Sequence, residues 1–124
     1  MNPQAPRNEF QRLIYATRNS LKGYARVFRD EAAFRFQTVI LALAIPLALW
    51  LSRSWVEFAL LVGSWAVAMA LELGNTGIEA AIDRIGTERH DLAGKAKDAG
   101  SAMVMTAMLT SGLIWLAVIF DRVG

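Results

Sequence analysis

Glu72 and Glu79 stand in a stretch that otherwise reads as a membrane span, VEFALLVGSWAVAMALELGNTGIEAAI from Val56 to Ile82, closed by Asp83 and Arg84. An ionised carboxylate in hydrocarbon is costly, so it needs a partner and usually serves a function. On a helix, Glu72, Asn75, Glu79 and Asp83 fall on one face. A stripe of oxygen-bearing side chains suits several jobs. It can hold a hard cation such as Mg2+, which takes a few carboxylates and substrate phosphates and keeps the rest of its shell as water. One carboxylate can act as general base on a lipid hydroxyl at the interface. The acids can relay protons or ions, or the stripe can be a hydrogen-bonded seam between protomers. Both glutamates lie toward one end of the span. A path needs polar groups at several depths, and the other apolar runs offer little beyond Thr106, Thr110 and Ser111. Metal plus base therefore ranks above an ion path.

The elements that position the stripe follow from composition. The chain has 124 residues, enough for a single domain, and 55% of them are hydrophobic; the mean hydropathy is +0.34. Phe36 to Ser52 carries no formal charge, Phe58 to Leu71 is uncharged, and Ala99 to Phe120 is an uncharged run of 22 residues. A helix needs roughly 20 apolar residues to cross a bilayer. The expectation is an all-α membrane protein with transmembrane helices over 34–52, 56–82 and 96–120. Pro46 lies within the first of these and predicts a kink. Gly74 and Gly77 lie roughly opposite the acidic stripe, with Gly63 a few turns earlier, and small residues let helices pack closely in lipid.

Residues 7–29 predict an amphipathic helix, with Phe10, Leu13, Ile14, Leu21, Tyr24 and Phe28 on one face and Arg18, Lys22, Arg26 and Arg29 flanking it. That pattern suits a helix lying in the membrane interface. Residues 1–6, with Pro3 and Pro6, read as a loose tail. Arg7, Arg12 and Arg18 without an early apolar core give no secretory signal. There are no cysteines, which excludes disulfides and thiolate metal sites. The pI of about 9.4 is explained by lipid head groups and orientation rather than by nucleic acid.

Seven of the Lys and Arg residues precede the first uncharged run at Phe36, Arg53 alone sits between the first two runs, Arg84, Arg89, Lys95 and Lys97 lie between the second and third, and Arg122 is in the tail. The positive-inside rule places the N-terminus and second loop in the cytoplasm and the C-terminus outside. Trp50, Trp55 and Trp115 then fall near the outer interface. About 20 residues from Val56 bring the second span to the cytoplasmic boundary near Asn75, so the stripe faces that boundary and not the midplane. Glu31, at the junction DEAAFRFQ (residues 30–37), lies at a similar depth. Lys95 and Lys97 near a helix N-terminus can hold phosphate, but on the residues alone the inside flank of an ordinary bacterial span is the favoured reading. His90, the lone histidine, suits a hydrogen bond better than a metal. No G-x-x-x-x-G-K-[ST] or G-x-G-x-x-G occurs, so physics alone does not point to a nucleotide. Three helices do not easily surround a polar stripe, which argues for an oligomer with sites between protomers.

The stretch ELGNTGIEAAIDRIG (residues 72–86), with DEAAFR at 30–35 and ERHDLAGKAKDAGSA at 88–102, closely resembles the small integral-membrane diacylglycerol kinases of bacteria. The resemblance covers almost the whole chain in order. It implies a homotrimer in the inner membrane that transfers the ATP γ-phosphate to the free hydroxyl of diacylglycerol, giving phosphatidic acid, with Mg2+ as cofactor and no nucleic-acid partner. It implies Glu72 as general base and Glu31 and Glu79 as metal ligands. It implies nucleotide contacts by Arg12, Glu31, Glu79, Glu88, Arg89, His90, Asp91, Leu92, Lys97 and Asp98. Lipid substrate contacts are implied for Arg12, Arg35, Glu72, Asn75, Ser101 and Trp115. The chain departs from the family at Gln37, where many relatives carry a second acid, at Leu73–Gly74 and Gly77 after the base, and at Asn19, where an aromatic is usual and no contact is carried over. The related undecaprenol kinases, which act on a polyprenol, are the alternative acceptor class, and a proton- or ion-conducting protein is the alternative of another kind.

Overall fold

The computed structural model describes residues 8–124 as four helices in chain order: α1 (Glu9–Asp30), α2 (Ala32–Leu51), α3 (Trp55–Ile85) and α4 (Asp91–Val123). The expected tail at residues 1–6 and the helix start at Arg7 lie outside the described residues. Among the described residues there is no strand, and α2, α3 and α4 are long and apolar enough to cross a membrane. The chain is an all-α membrane protein.

Asn8 begins α1, its side chain accepting from the Gln11 N–H at 2.8 Å, which satisfies one of the orphan donors of a first turn. None of the residues of α1 is buried within the chain. Phe10, Leu13, Leu21 and Tyr24 are exposed on its apolar face, as a helix seated on lipid requires. Its C-terminal half meets α2 and α3. There Leu21, Tyr24 and Phe28 face Phe34 and Met69 across an apolar groove.

One extended residue, Glu31, at φ −117° and ψ 112°, separates α1 from α2. No glycine or proline marks this break; Arg35 stabilises it. Its Nη1 donates to the Phe28 carbonyl at 2.9 Å and to the Arg29 carbonyl at 2.7 Å. A guanidinium on the last carbonyls of a helix is favoured by the helix dipole. Helix α2 continues through Pro46 to Leu51, although Pro46 cannot donate to the carbonyl four residues back.

Ser54 caps α3: its hydroxyl accepts from the Glu57 N–H at 3.1 Å, and the Glu57 carboxylate accepts from the N–H of Arg53, one residue before the cap, at 2.9 Å. The 31 residues of α3 make a rod of about 46 Å, longer than the roughly 30 Å of bilayer hydrocarbon. Its acidic end therefore projects beyond the apolar layer. Helix α4, with 33 residues, is longer still.

The most extensive pairing is between α3 and α4. Ser64 and Ser111 share a 2.8 Å hydroxyl contact, and the Trp115 indole donates to the Leu61 carbonyl at 3.1 Å. Nearer the acidic end, Asn75 faces Gly100, and Lys97 meets Asp83. These pairs fix one antiparallel register. The core itself lies at the far end, where Ala48, Leu51, Leu61 and Val118 pack with Phe58, Val62, Ile114 and Trp115. On α2, the Gln37 carbonyl accepts from the Trp65 indole at 3.0 Å.

The glycines of α3 stand open within the chain. Nothing lies within 4 Å of a Cβ built on Gly63, Gly74 or Gly77, so they pack against no helix of their own chain. The close approach uses Gly100 on α4 instead. Large apolar side chains such as Leu43, Trp50, Leu109, Leu113 and Phe120 point outward, the arrangement expected where the surroundings are lipid or other copies rather than water.

Candidate functional site

Glu72, Asn75, Glu79 and Asp83 run in that order along the last turns of α3, Glu72 and Glu79 half-buried and Asp83 exposed. Asn75 is the fixed point. It is 7% exposed, and its Nδ2 donates to Glu79 Oε1 at 3.2 Å. Its Oδ1 is buried without a donor and rests in the space that a Cβ on residue 100 would occupy. The absence of a side chain at Gly100 thus lets α4 come close enough to hold the Asn75 amide. The amide in turn orients one oxygen of Glu79 and leaves the other free. Glu72 and Glu79 are seven residues apart, about 10 Å along the axis.

Glu31 stands at the α1–α2 break. The antiparallel register set by Gln37 and Trp65, and by Phe34 and Met69 on one groove, continues to Glu31 at the level of Glu72. Among the described residues no group of three or more His, Cys, Asp or Glu side chains gathers as a ready-made metal site. The oxygen-only donors Glu31 and Glu79 fit a hard cation whose remaining ligands are water and phosphate. They do not fit a metal needing a full protein cage.

The loop and the start of α4 form a second part. Arg89, His90, Asp91, Gly94, Lys95 and Asp98 line an open groove of about 910 Å³. Asp91, Lys95 and Asp98 follow a four–three spacing, which puts them on one helix face. Lys95 is not among the nucleotide contacts that the resemblance implies, yet its position on that face is readable from the spacing. Lys97 points away from this groove. Its Nζ donates to Asp83 Oδ1 at 2.7 Å, and the ammonium also feels the Glu79 carboxylate. His90 starts α4, its Nδ1 accepting from the Leu92 N–H at 3.1 Å. Glu88 and Leu92 line a separate, mostly apolar cavity with Ile82 and Ile85. The Glu88 carboxylate folds over Gly86, in space that a Cβ would take.

The remaining expected contacts are dispersed. Arg12 is exposed on α1 and pairs with Glu9 at 3.5 Å. Arg35 is engaged at the α1 C-terminus. Ser101 is exposed on α4 near the Asn75 level. Trp115 lies about 21 Å further along α4, half-buried against the core. It lines an apolar groove of about 350 Å³ with Ile40, Leu43, Leu47, Trp65 and Met108. One chain thus brings together Asn75 with Glu79 and Lys97 with Asp83, sets Glu31 level with Glu72, and leaves Arg12, Ser101 and Trp115 apart.

The family model described as prokaryotic diacylglycerol kinase matches residues 18–119. The chain is 43% identical over 108 residues to a protein of Haemophilus influenzae named diacylglycerol kinase, covering 87% of this chain and 92% of that one. To the diacylglycerol kinase of Escherichia coli strain K12 it is 39% identical over 115 residues, covering 93% and 94%. To that of Pseudomonas aeruginosa it is 38% identical over 109 residues, covering 88% and 89%.

Proposed function

The chain belongs to the prokaryotic diacylglycerol kinase family, and from that premise we propose that it transfers the ATP γ-phosphoryl group to the free hydroxyl of diacylglycerol, with Glu72 as general base. The observation that carries this reading is the order of groups on α3. Glu72 lies at the apolar boundary, the clamped Asn75 amide follows it, and Glu79 and Asp83 reach into the polar layer. About 10 Å between Glu72 and Glu79 leaves room for a lipid hydroxyl, the phosphoryl group in flight and a cation in sequence.

Each residue then has a task. The half-buried Glu72 carboxylate takes the proton from the lipid hydroxyl as that oxygen attacks the γ-phosphorus. The bond from phosphorus to the bridging oxygen breaks, and ADP leaves. Asn75 holds Glu79 in place and keeps the two glutamates from drifting together. Phosphoryl transfer needs positioning and charge neutralisation more than covalent chemistry. Since one chain sets Glu31 level with Glu72 and not with Glu79, Glu31 and Glu79 of neighbouring protomers would hold Mg2+, which would offset the charge of the triphosphate; bare carboxylates would repel it. Lys97 supplies a further positive charge beside Glu79. Arg89, His90, Lys95 and Asp98 line the groove for the nucleoside part, and α1 lies over the interface, where Arg12, apart from the stripe within one chain, would meet the phosphates of a neighbouring protomer's site. Ser101 meets the lipid near its head group and Trp115 meets it further into the apolar layer.

The basic residues around α1 and the second loop support a cytoplasmic position at the inner membrane for this end of the molecule, with the C-terminus periplasmic. The exposed side of the acidic stripe and the open Gly74 and Gly77 face are surfaces that a homotrimer would cover. Neither a polyprenol acceptor nor an ion path is favoured. The test is transfer of labelled phosphate from ATP by the purified protein in mixed micelles with Mg2+, offering diacylglycerol and a polyprenol side by side. Labelled phosphatidic acid is expected; label on the polyprenol alone, or on neither, contradicts the proposal.

A further inference from the structure

Asp83 and Lys97 are joined across the α3–α4 loop at 2.7 Å. The lysine side chain is 44% exposed and the aspartate 55%. An exposed ion pair of this kind adds little to folding, and α3 and α4 are already pinned by Ser64 with Ser111, Trp115 with Leu61 and Asn75 against Gly100. Stapling the two helices is therefore a poor account of the pair. What it does fix is a direction. A lysine ammonium on four methylenes points where its partner holds it. Lys95, two residues earlier and about 200° round the helix, opens into the groove with Arg89 and Asp98. Lys97 instead lies against α3, where its charge also feels Glu79. An ammonium carries three N–H donors; Asp83 takes one, which leaves two for phosphate oxygens.

We infer that Asp83 is a positioning residue, whose carboxylate aims the Lys97 ammonium at the donor triphosphate beside Glu79. This rests on the reading, given above, that Lys97 meets that triphosphate. The role differs from that of Glu31 and Glu79: Asp83 touches neither nucleotide nor lipid, and it acts through Lys97.

The experiment compares D83N, D83E, K97M and the D83N/K97M double variant of the full chain. KM for Mg·ATP, KM for diacylglycerol and kcat are measured in mixed micelles, and the thermal midpoint in the same detergent. D83N is expected to raise KM for Mg·ATP about tenfold, the scale of a disordered charge-assisted hydrogen bond, with KM for diacylglycerol and the midpoint unchanged. D83E is expected to recover most of the loss, and D83N to add nothing in the K97M background. Wild-type behaviour of D83N beside a K97M variant with weakened Mg·ATP use overturns the role of Asp83 and leaves Lys97 where it is placed. Wild-type use of Mg·ATP by K97M overturns the placement of Lys97 and the inference with it. A fall in midpoint with both KM values shifted together, or additive losses in the double variant, makes the pair a structural staple and overturns the inference.

Discussion

Replacing Gly100 with alanine adds one methyl group at the point where α4 touches Asn75. The Cβ would enter the space held by Asn75 Oδ1, so the buried amide has to move. Taken alone, Gly→Ala inside a helix stabilises by about 0.5–1 kcal/mol. Overpacking a filled site costs about 1–3 kcal/mol, so the sign of the net change in stability reports the contact. The displaced amide also releases Glu79, whose hydrogen bond from Nδ2 is 3.2 Å long. A hydrogen bond to a charged group contributes about 1.5–3 kcal/mol, which is about 10- to 100-fold in kcat/KM where Glu79 must be held for reaction. The assay is steady-state phosphorylation of diacylglycerol in mixed micelles, with the thermal midpoint in detergent alongside. G100A should lose both activity and stability. In an N75A background, where the amide is gone and room is available, G100A should cost little more. A G100A variant that is as stable as wild type or more so, with kcat/KM within about twofold, would refute the Asn75–Gly100 clamp.

Arg35→Gln removes the guanidinium from the Phe28 and Arg29 carbonyls; faster amide hydrogen exchange over the last turns of α1 is expected, together with weaker use of both substrates, because the break carrying Glu31 loosens. Unchanged exchange there would show that Arg35 does not hold the corner. Ser111→Ala removes a hydroxyl that is 1% exposed and contacts Ser64 at 2.8 Å; interhelical hydrogen bonds in membranes average about 0.6 kcal/mol, so a small fall in thermal midpoint with unaltered kinetics is expected. A large loss of activity would place Ser111 in the reaction rather than in the helix seam.

The three spanning helices were legible because 20 or so apolar residues have few other uses, and the order of acids on α3 followed from helical spacing alone. The corner at Glu31 was less so. The junction was expected over residues 30–37, yet a single residue makes it and α2 starts at Ala32, since no glycine or proline punctuates the chain there. What sequence does not carry is the register between helices. The Asn75–Gly100 contact and the Asp83–Lys97 pair depend on how α3 slides against α4, and no spacing along one helix specifies that. Lys95 and Lys97 illustrate both sides: their divergence follows from two steps of 100°, but which one faces α3 follows only from packing. The glycines of α3 have the composition of a packing face and stand open within the chain, because the small residue that α3 and α4 use is on the other helix.

Glu72→Gln tests the account at its centre. Glutamine keeps the size of the side chain and one accepting oxygen, puts an NH2 donor in place of the other, and takes no proton. The measurement pairs turnover of diacylglycerol with equilibrium binding of Mg·ATP on the same preparation. A general base contributes about 10²–10⁴ in rate, so turnover should fall by that order while Mg·ATP binds as to wild type. Phosphatidic acid formed at the wild-type rate by E72Q would remove Glu72 as the base.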